Sequence, residues 1–169
     1  MMDRGVTGRA PLHALAEPVQ GAIVCGAGET LISGIAYDSR LVRPGFLFAA
    51  LRGADLDGHD FIEEAVHRGA SGLLVEGAND SQLPRIVVAD TRAALATISA
   101  AFFGHPSREL GVIGITGTDG KTTTSYMVDH ILRSAGRKTG MMGTVAIRID
   151  GEEDLHPSRQ TTPESSDVQ

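Results

Sequence analysis

Ile115-Thr116-Gly117-Thr118-Asp119-Gly120-Lys121-Thr122-Thr123-Thr124 is the stretch whose reading decides the fold. It follows Leu110-Gly111-Val112-Ile113-Gly114-Ile115, whose length and branched side chains predict a β-strand, and it opens a helix expected over 121–135. A glycine-rich turn between strand and helix can aim successive backbone N–H groups at a phosphate, with the positive end of the helix dipole behind them. In that setting Lys121 reaches the β- and γ-phosphates of a nucleotide, and the Thr122 hydroxyl completes a magnesium shell. The strict pattern G-x-x-x-x-G-K-T asks for glycine at 115, where this chain has isoleucine; Gly114 lies one residue too far upstream. Gly-Lys-Thr alone reads as a capped turn. Strand, turn and helix in register favour nucleotide binding.

Working outward, Met127, Val128, Ile131, Leu132 and Ala135 are expected to form the buried face of that helix, with Gly136 as its stop. Short strands are expected at 138–142 and 144–149, meeting the hairpin signal Asp150-Gly151. Thr161-Thr162-Pro163-Glu164 has the grammar of a helix start, with a Thr N-cap, Pro at the first position and an acid in the first turn. The chain is expected to stop within that helix, as a truncated domain.

Upstream, residues 21–25 and 31–37 read as strands around the turn Gly26-Ala27-Gly28-Glu29, and the apolar run Phe46–Leu51 reads as a buried strand after the turn Pro44-Gly45. A helix is expected over 59–68, with Ile62, Ala65 and Val66 inward and Gly69 at C′. Strands at 72–75 and 85–89 follow. Asp90 is then the N-cap of a helix whose stripe is Ala94, Leu95, Ile98, Ala101 and Phe102. Gly104–Glu109 breaks the pattern. The expected fold is α/β throughout: a small N-terminal α/β domain at 1–109, then at 110–169 the first part of a P-loop α/β domain with a mostly parallel sheet.

Composition excludes several classes. The 169 residues carry 15 basic and 21 acidic side chains, a net charge of −6, so nucleic acid and anionic membrane surfaces are poor partners. Mean hydropathy of −0.01 and 41% hydrophobic residues suit a soluble globular chain. The single Cys25 forms no internal disulfide, which fits a reducing cytoplasm, and the N-terminus shows no secretory pattern. The six histidines include no close-spaced metal pair, and Asp55–Asp60 departs from a calcium loop at His59. Glycine, at 21 residues, is about 12% against a usual value near 7%, mostly punctuating short apolar runs.

Gly114-Ile115-Thr116-Gly117-Thr118-Asp119-Gly120-Lys121-Thr122-Thr123 resembles the ATP loop of the Mur ligases, which use this variant of the Walker spacing. Asp38-Ser39-Arg40 with Pro44-Gly45-Phe46-Leu47-Phe48-Ala49, continued by Asp57-Gly58-His59-Asp60-Phe61, resembles the family's N-terminal signature. Gly143-Thr144-Val145 followed by Thr161-Thr162-Pro163-Glu164 is similar to the MurE branch, which adds the third residue of the peptidoglycan stem. The resemblance runs from about residue 20 to the last residue.

It implies a cytoplasmic, monomeric enzyme of cell-wall synthesis with ATP and Mg²⁺ as cofactors. Its partners would be small molecules: UDP-MurNAc-L-Ala-D-Glu and a diamino acid, meso-diaminopimelate or L-lysine, joined through an acyl phosphate. Carried over by position, Gly117, Thr118, Asp119, Gly120, Lys121, Thr122 and Thr123 would hold ATP, with Lys121 as the catalytic cation and Thr122 and Glu164 on magnesium. Tyr37, Ser39, Ala54, Asp55, Leu56, Gln160, Thr161 and Thr162 would hold the UDP-linked substrate. Asp119 and Gln160 stand where many members have Asn. The family's carbamylated lysine and its amino-acid-selecting domain are not located in this chain, so the chain alone is expected to be inactive as a ligase. Alternatives left open are a MurF-like or folylpolyglutamate-synthase-like ligase, a generic P-loop NTPase, and a non-catalytic UDP-binding module. From the residues alone, Glu164 and Thr162 also read as helix-start residues, and Ser39 as part of a turn.

Overall fold

The computed structural model describes residues 8–53, 56–77, 80–143, 146–150, 152–155 and 164–168. The chain divides into two compact units, Met1–Leu110 with Ser165–Gln169, and Gly111–Glu164.

The first unit contains β1 (Ala10–Pro11), α1 (Leu12–Ala16), β2 (Ile23–Cys25), β3 (Leu31–Ile32), β4 (Gly34–Ala36), β5 (Phe46–Ala49), α2 (Ile62–His67), β6 (Gly72–Glu76), β7 (Arg85–Val88) and α3 (Thr91–Phe102). Five strands form one sheet in the order β2-β7-β6-β5-β4. The pairs β4–β5, β5–β6 and β6–β7 are parallel, and β2 closes one edge antiparallel to β7. Side chains alternate across a strand, so a sheet covered on both faces needs apolar residues at nearly every position. Leu47, Ala49, Leu74, Ile86 and Val88 share one core with Leu12 and Leu15 of α1 and Leu95, Ile98 and Phe102 of α3. Phe48, Ala50, Leu73 and Val75 share the opposite core with Ala65, against which Phe61 and Ile62 pack. The run Phe46–Leu51 reads as continuously apolar because it is covered on both sides.

Local signals act as expected at α3. The Asp90 carboxylate accepts from the Ala93 amide at 3.0 Å, and Ala94, Leu95, Ile98 and Phe102 are buried. Gly69, at φ +96, ends α2 in the left-handed conformation glycine tolerates. Other expectations are revised. The strand expected over 31–37 breaks at Ser33 into β3 and β4, and β3 pairs with β1. The helix expected over 59–68 begins as a 3₁₀ turn at Gly58–Phe61, and the six-residue α2 leaves Val66 exposed because only Ile62 and Ala65 meet the sheet.

The second unit contains α4 (Lys121–Ser134), β8 (Gly140–Met142), β9 (Ala146–Ile149) and β10 (Glu152–Leu155), the strands forming an antiparallel meander in the order β10-β9-β8. Ile149 pairs with Glu152, and Asp150 takes φ +51, the left-handed conformation favoured at the start of a tight hairpin loop; Gly151 lies outside the described residues. The strand expected over 110–115 is not formed among the described residues; Leu110, Val112 and Ile113 are 66%, 75% and 59% exposed. A strand exists only where another edge completes its ladder, and the meander offers 110–115 no pairing. The described sheet of this unit is therefore antiparallel, and the mostly parallel sheet belongs to the first unit. For the same reason Met127 and Ile131, expected inward, are exposed. The last helix, α5 (Ser165–Val168), starts immediately after Glu164; the expected cap and first-position residues Thr162 and Pro163 lie outside the described residues.

Candidate functional site

In the second unit the glycine-rich turn leads directly into the N-terminus of α4. Gly117 (φ +152) and Gly120 (φ +76) take conformations that a side chain would strain, and Gly120 is the N-cap of the 14-residue α4. A Cβ at Gly120 would meet nothing within 4 Å, so backbone conformation, not space, is what asks for glycine there. The first turn of α4 holds no acidic side chain, and no side chain caps its N-terminus. Its leading N–H groups therefore present uncompensated positive charge. Lys121 Nζ donates to Gly117 O at 2.5 Å and Thr118 O at 3.1 Å, which folds the loop around the ammonium. Lys121, Thr122, Thr123 and Thr124 are all exposed. This arrangement fits a polyphosphate. It fits Mg²⁺ only in the manner in which that ion is usually held, by few protein oxygens together with phosphates: the Thr122 hydroxyl lies in the first turn, and no cluster of three potential metal ligands occurs among the described residues.

Sequence reading missed how α4 is anchored. Asp129, only 4% exposed, accepts from Thr139 Oγ1 at 2.5 Å and from Arg148 Nη1 at 3.3 Å, which ties α4 to the meander. The Arg148 guanidinium lies 5.4 Å from the Tyr126 ring centroid. A polar residue on the helix face opposite the expected stripe was the available signal.

In the first unit, Tyr37 and Ser39 follow the carboxyl end of β4, and Leu56 follows that of β5. Ligands of open parallel sheets bind outside the carboxyl ends of the strands. The structure thus places these three expected residues at one end of adjacent parallel strands. Ala54, Asp55, Gln160, Thr161 and Thr162 lie outside the described residues. Glu164 is half-buried just before α5. Tyr37 donates its hydroxyl to Asp167 Oδ2 of α5 at 2.8 Å.

Ser39 is buried, and its hydroxyl donates to Glu64 Oε2 at 2.7 Å, while Arg68 Nε donates to Glu64 Oε1 at 3.0 Å. Asp38 accepts from the backbone and guanidinium of Arg40, at 2.6 Å for Nη2. The Ser39 hydroxyl, then Arg68, hold the Glu64 carboxyl below its ordinary range; Arg40 does the same for Asp38, and the His59 amide and ring for Asp57. A carboxylate held low stabilises the folded chain above its unfolded value, and that contribution is lost as pH falls through the lowered value. Thermal melts are therefore expected to hold their midpoint through neutral pH and fall below about pH 4, the ordinary carboxylate range. Glu64→Gln should make that acid limb shallower; an unchanged slope would remove Glu64 from the account.

Beyond β5, Arg52 Nε lies 3.3 Å from both Asp57 Oδ2 and Glu76 Oε2. Glu76 Oε1 accepts from the Thr91 amide at 3.0 Å, and the Thr91 hydroxyl donates to Ala50 O at 3.0 Å. With Asp90 on Ala93, the start of α3 already has two carboxylates on its amides, so it differs from the start of α4 and offers no anion site.

Comparison with known proteins agrees with this layout. The profile described as Mur ligase family, catalytic domain, matches residues 31–103, and the Mur ligase middle domain matches 115–169. The UDP-N-acetylmuramyl-tripeptide synthetase of Deinococcus radiodurans is 50% identical over 145 residues, 83% of this chain and 30% of that protein. The UDP-N-acetylmuramoyl-L-alanyl-D-glutamate–2,6-diaminopimelate ligase of Streptomyces coelicolor is 47% identical over 164 residues, 94% of this chain and 31% of that protein. A crystal structure of MurF from Acinetobacter baumannii superposes with a TM-score of 0.63 at 34% identity, covering 76% of this chain and 29% of that one. The chain spans about 30% of the length of the curated relatives it matches. With both profiles in family order and the glycine-rich turn inside the second, the chain belongs to the Mur ligase family.

Proposed function

We propose that this chain supplies the substrate-nucleotide grip and the ATP loop of a MurE-type, ATP-dependent amide ligase of peptidoglycan synthesis. The division would fall at 109/110, with 1–109 holding the UDP end of UDP-MurNAc-L-Ala-D-Glu and 110–169 beginning the ATP-binding domain. The observation that carries the reading is the pairing of two family matches, in order, with a glycine-rich turn that opens an uncapped 14-residue helix.

On this reading Gly117, Thr118, Asp119, Gly120, Lys121, Thr122 and Thr123 cradle the phosphates of ATP, and Lys121 exchanges its loop carbonyls for phosphate oxygens. Thr122, joined by Glu164, holds Mg²⁺. ATP supplies the phosphoryl group that activates the substrate carboxylate for attack by the amine of a diamino acid, meso-diaminopimelate or L-lysine. The chain's own part is positioning and charge neutralisation by amides and ammonium. Tyr37, Ser39 and Leu56, with Ala54, Asp55, Gln160, Thr161 and Thr162, hold the UDP-linked substrate. Because Ser39 gives its proton to the ionised Glu64, it faces any ligand as an acceptor. It therefore suits a ribose hydroxyl or an imide N–H, not a phosphate oxygen. The enzyme would be cytoplasmic and monomeric; among the described residues no helix is long and apolar enough to cross a membrane.

Calorimetric titration of the 169-residue chain tests this: UDP and Mg·ATP should each bind, and neither should displace the other. Binding of ATP without UDP would leave a generic P-loop protein; binding of neither removes the reading. The likeness to the MurF crystal structure favours a second reading, a MurF-type ligase. Tighter binding of UDP-muramoyl tripeptide than of the dipeptide would select it.

A further inference from the structure

The geometry points to His59 as a positioning residue that sets the ligand-facing edge of β5 and β6. Both ring nitrogens are committed. The Glu76 amide donates to Nε2 at 3.0 Å, so Nε2 carries no proton, and Nδ1–H donates to Asp57 Oδ1 at 2.6 Å. The neutral ring is thus a strut with one end on the β6 backbone and the other on a carboxylate. The His59 amide also donates to Asp57 Oδ1, at 2.9 Å, which fixes the carboxylate's rotamer.

Asp57 in turn closes the turn beyond β5. It pairs with Arg52 as an isolated antiparallel bridge and faces the Arg52 guanidinium. Gly53 N donates to Leu56 O at 2.8 Å and Gly58 N to Leu51 O at 2.8 Å. At Gly58 the chain passes so close to β5's extension that a Cβ would lie 2.6 Å from Leu51 N and 2.7 Å from Leu51 O. Glu76, whose amide holds the ring, also binds Thr91 at the start of α3 and Arg52 through its side chain. The ends of β5 and β6 and the start of α3 are therefore locked to one another through His59, Asp57 and Glu76.

With neither ring nitrogen free, His59 does not touch a ligand or move a proton. It acts through the backbone bond from Gly53 to Leu56, the latter a residue that the reading above assigns to the UDP end of the substrate; the inference rests on that assignment. A preorganised edge binds more tightly because less ordering is left to be done on binding.

The test uses the whole chain with UDP and Mg·ATP as probes, read by calorimetry, melting temperature and amide hydrogen exchange. His59→Phe, which keeps an aromatic ring and removes both hydrogen bonds, should weaken UDP binding at least about tenfold and leave ATP affinity within about twofold. Exchange at the amides of Gly53, Gly58 and Glu76 should accelerate. Asp57→Asn, which keeps an oxygen acceptor for both His59 donors, should hold UDP affinity within about threefold, whereas Asp57→Ala should behave like His59→Phe. Unchanged UDP affinity in His59→Phe, or UDP and ATP affinities falling together, would overturn the proposal. If the parent chain binds ATP and no UDP, the assignment of the first unit fails by itself. Exchange then decides the strut: acceleration at the three amides supports it, and unchanged rates overturn it. Should His59→Phe not fold, Asp57→Ala against Asp57→Asn carries the same comparison.

Discussion

Lys121→Ala is expected to remove Mg·ATP binding from this chain almost completely while leaving UDP binding and the fold intact. The ammonium is the one side-chain cation in the glycine-rich turn, and its contacts are two carbonyls of the same turn, Gly117 O and Thr118 O. Those bonds are exposed and local, so their loss should move the melting temperature by under about 2 °C. Charge-assisted hydrogen bonds to phosphate oxygens count for more, about 2–3 kcal/mol, or roughly 30- to 150-fold in affinity. Calorimetric titration of parent and variant with Mg·ATP measures the loss, and titration with UDP is the internal control. A variant that binds ATP like the parent would mean that the turn is a structural cap on α4 and the ammonium a solvated charge. Lys121→Arg keeps the charge but not the compact ammonium, and should recover only part of the affinity.

Much of the fold was legible because local chemistry and tertiary structure agree. Phe46–Leu51 is apolar at every position because both faces of β5 are covered; Asp90 caps the helix it was expected to cap, and strands β9 and β10 pair on either side of Asp150. Three kinds of feature were not legible. Helix α1 is five residues long, follows Pro11 and lacks a side-chain cap, so neither periodicity nor punctuation marks it. The strand expected over 110–115 depends on an edge to pair with, which no property of Val112 or Ile113 can supply. Finally, the polar contacts that shape both candidate sites join residues far apart in the chain: Ser39 with Glu64, His59 with Glu76, Asp129 with Arg148. Each pairs a common residue type with a partner that only the fold brings near. The glycine-rich turn escapes this difficulty because its glycines, lysine and threonines are contiguous. The residues at the carboxyl ends of β4 and β5 were reachable only through resemblance.

Phe48→Ala should have the largest effect on stability, because the ring is enclosed and four of the seven other buried residues in its core are alanines. Phe48 is 1% exposed at the middle of the parallel sheet, where it pairs with Ala36 on one side and Leu73 on the other. Its core contains Ala36, Ala50, Ala65 and Ala70, four residues with no side-chain length to move inward. Truncating a buried phenylalanine costs about 3–5 kcal/mol, and sites that cannot collapse lie at the upper end. Against a usual total of about 5–15 kcal/mol, that is a large share of the fold's stability. At about 4–8 °C per kcal/mol for a domain of this size, the melting temperature should drop by on the order of 15 °C or more. Phe48→Leu keeps most of the volume and should cost under about 2 kcal/mol. Ile131→Ala supplies the contrast: Ile131 is 65% exposed on α4, and its loss should stay within about 0.5 kcal/mol. Chemical denaturation of the three variants separates burial from hydrophobicity, since the parent side chains are both large and apolar and differ in what covers them. If Ile131→Ala cost as much as Phe48→Ala, then Ile131 would be covered in solution, and the face of α4 that carries Met127 and Ile131 would be an interface.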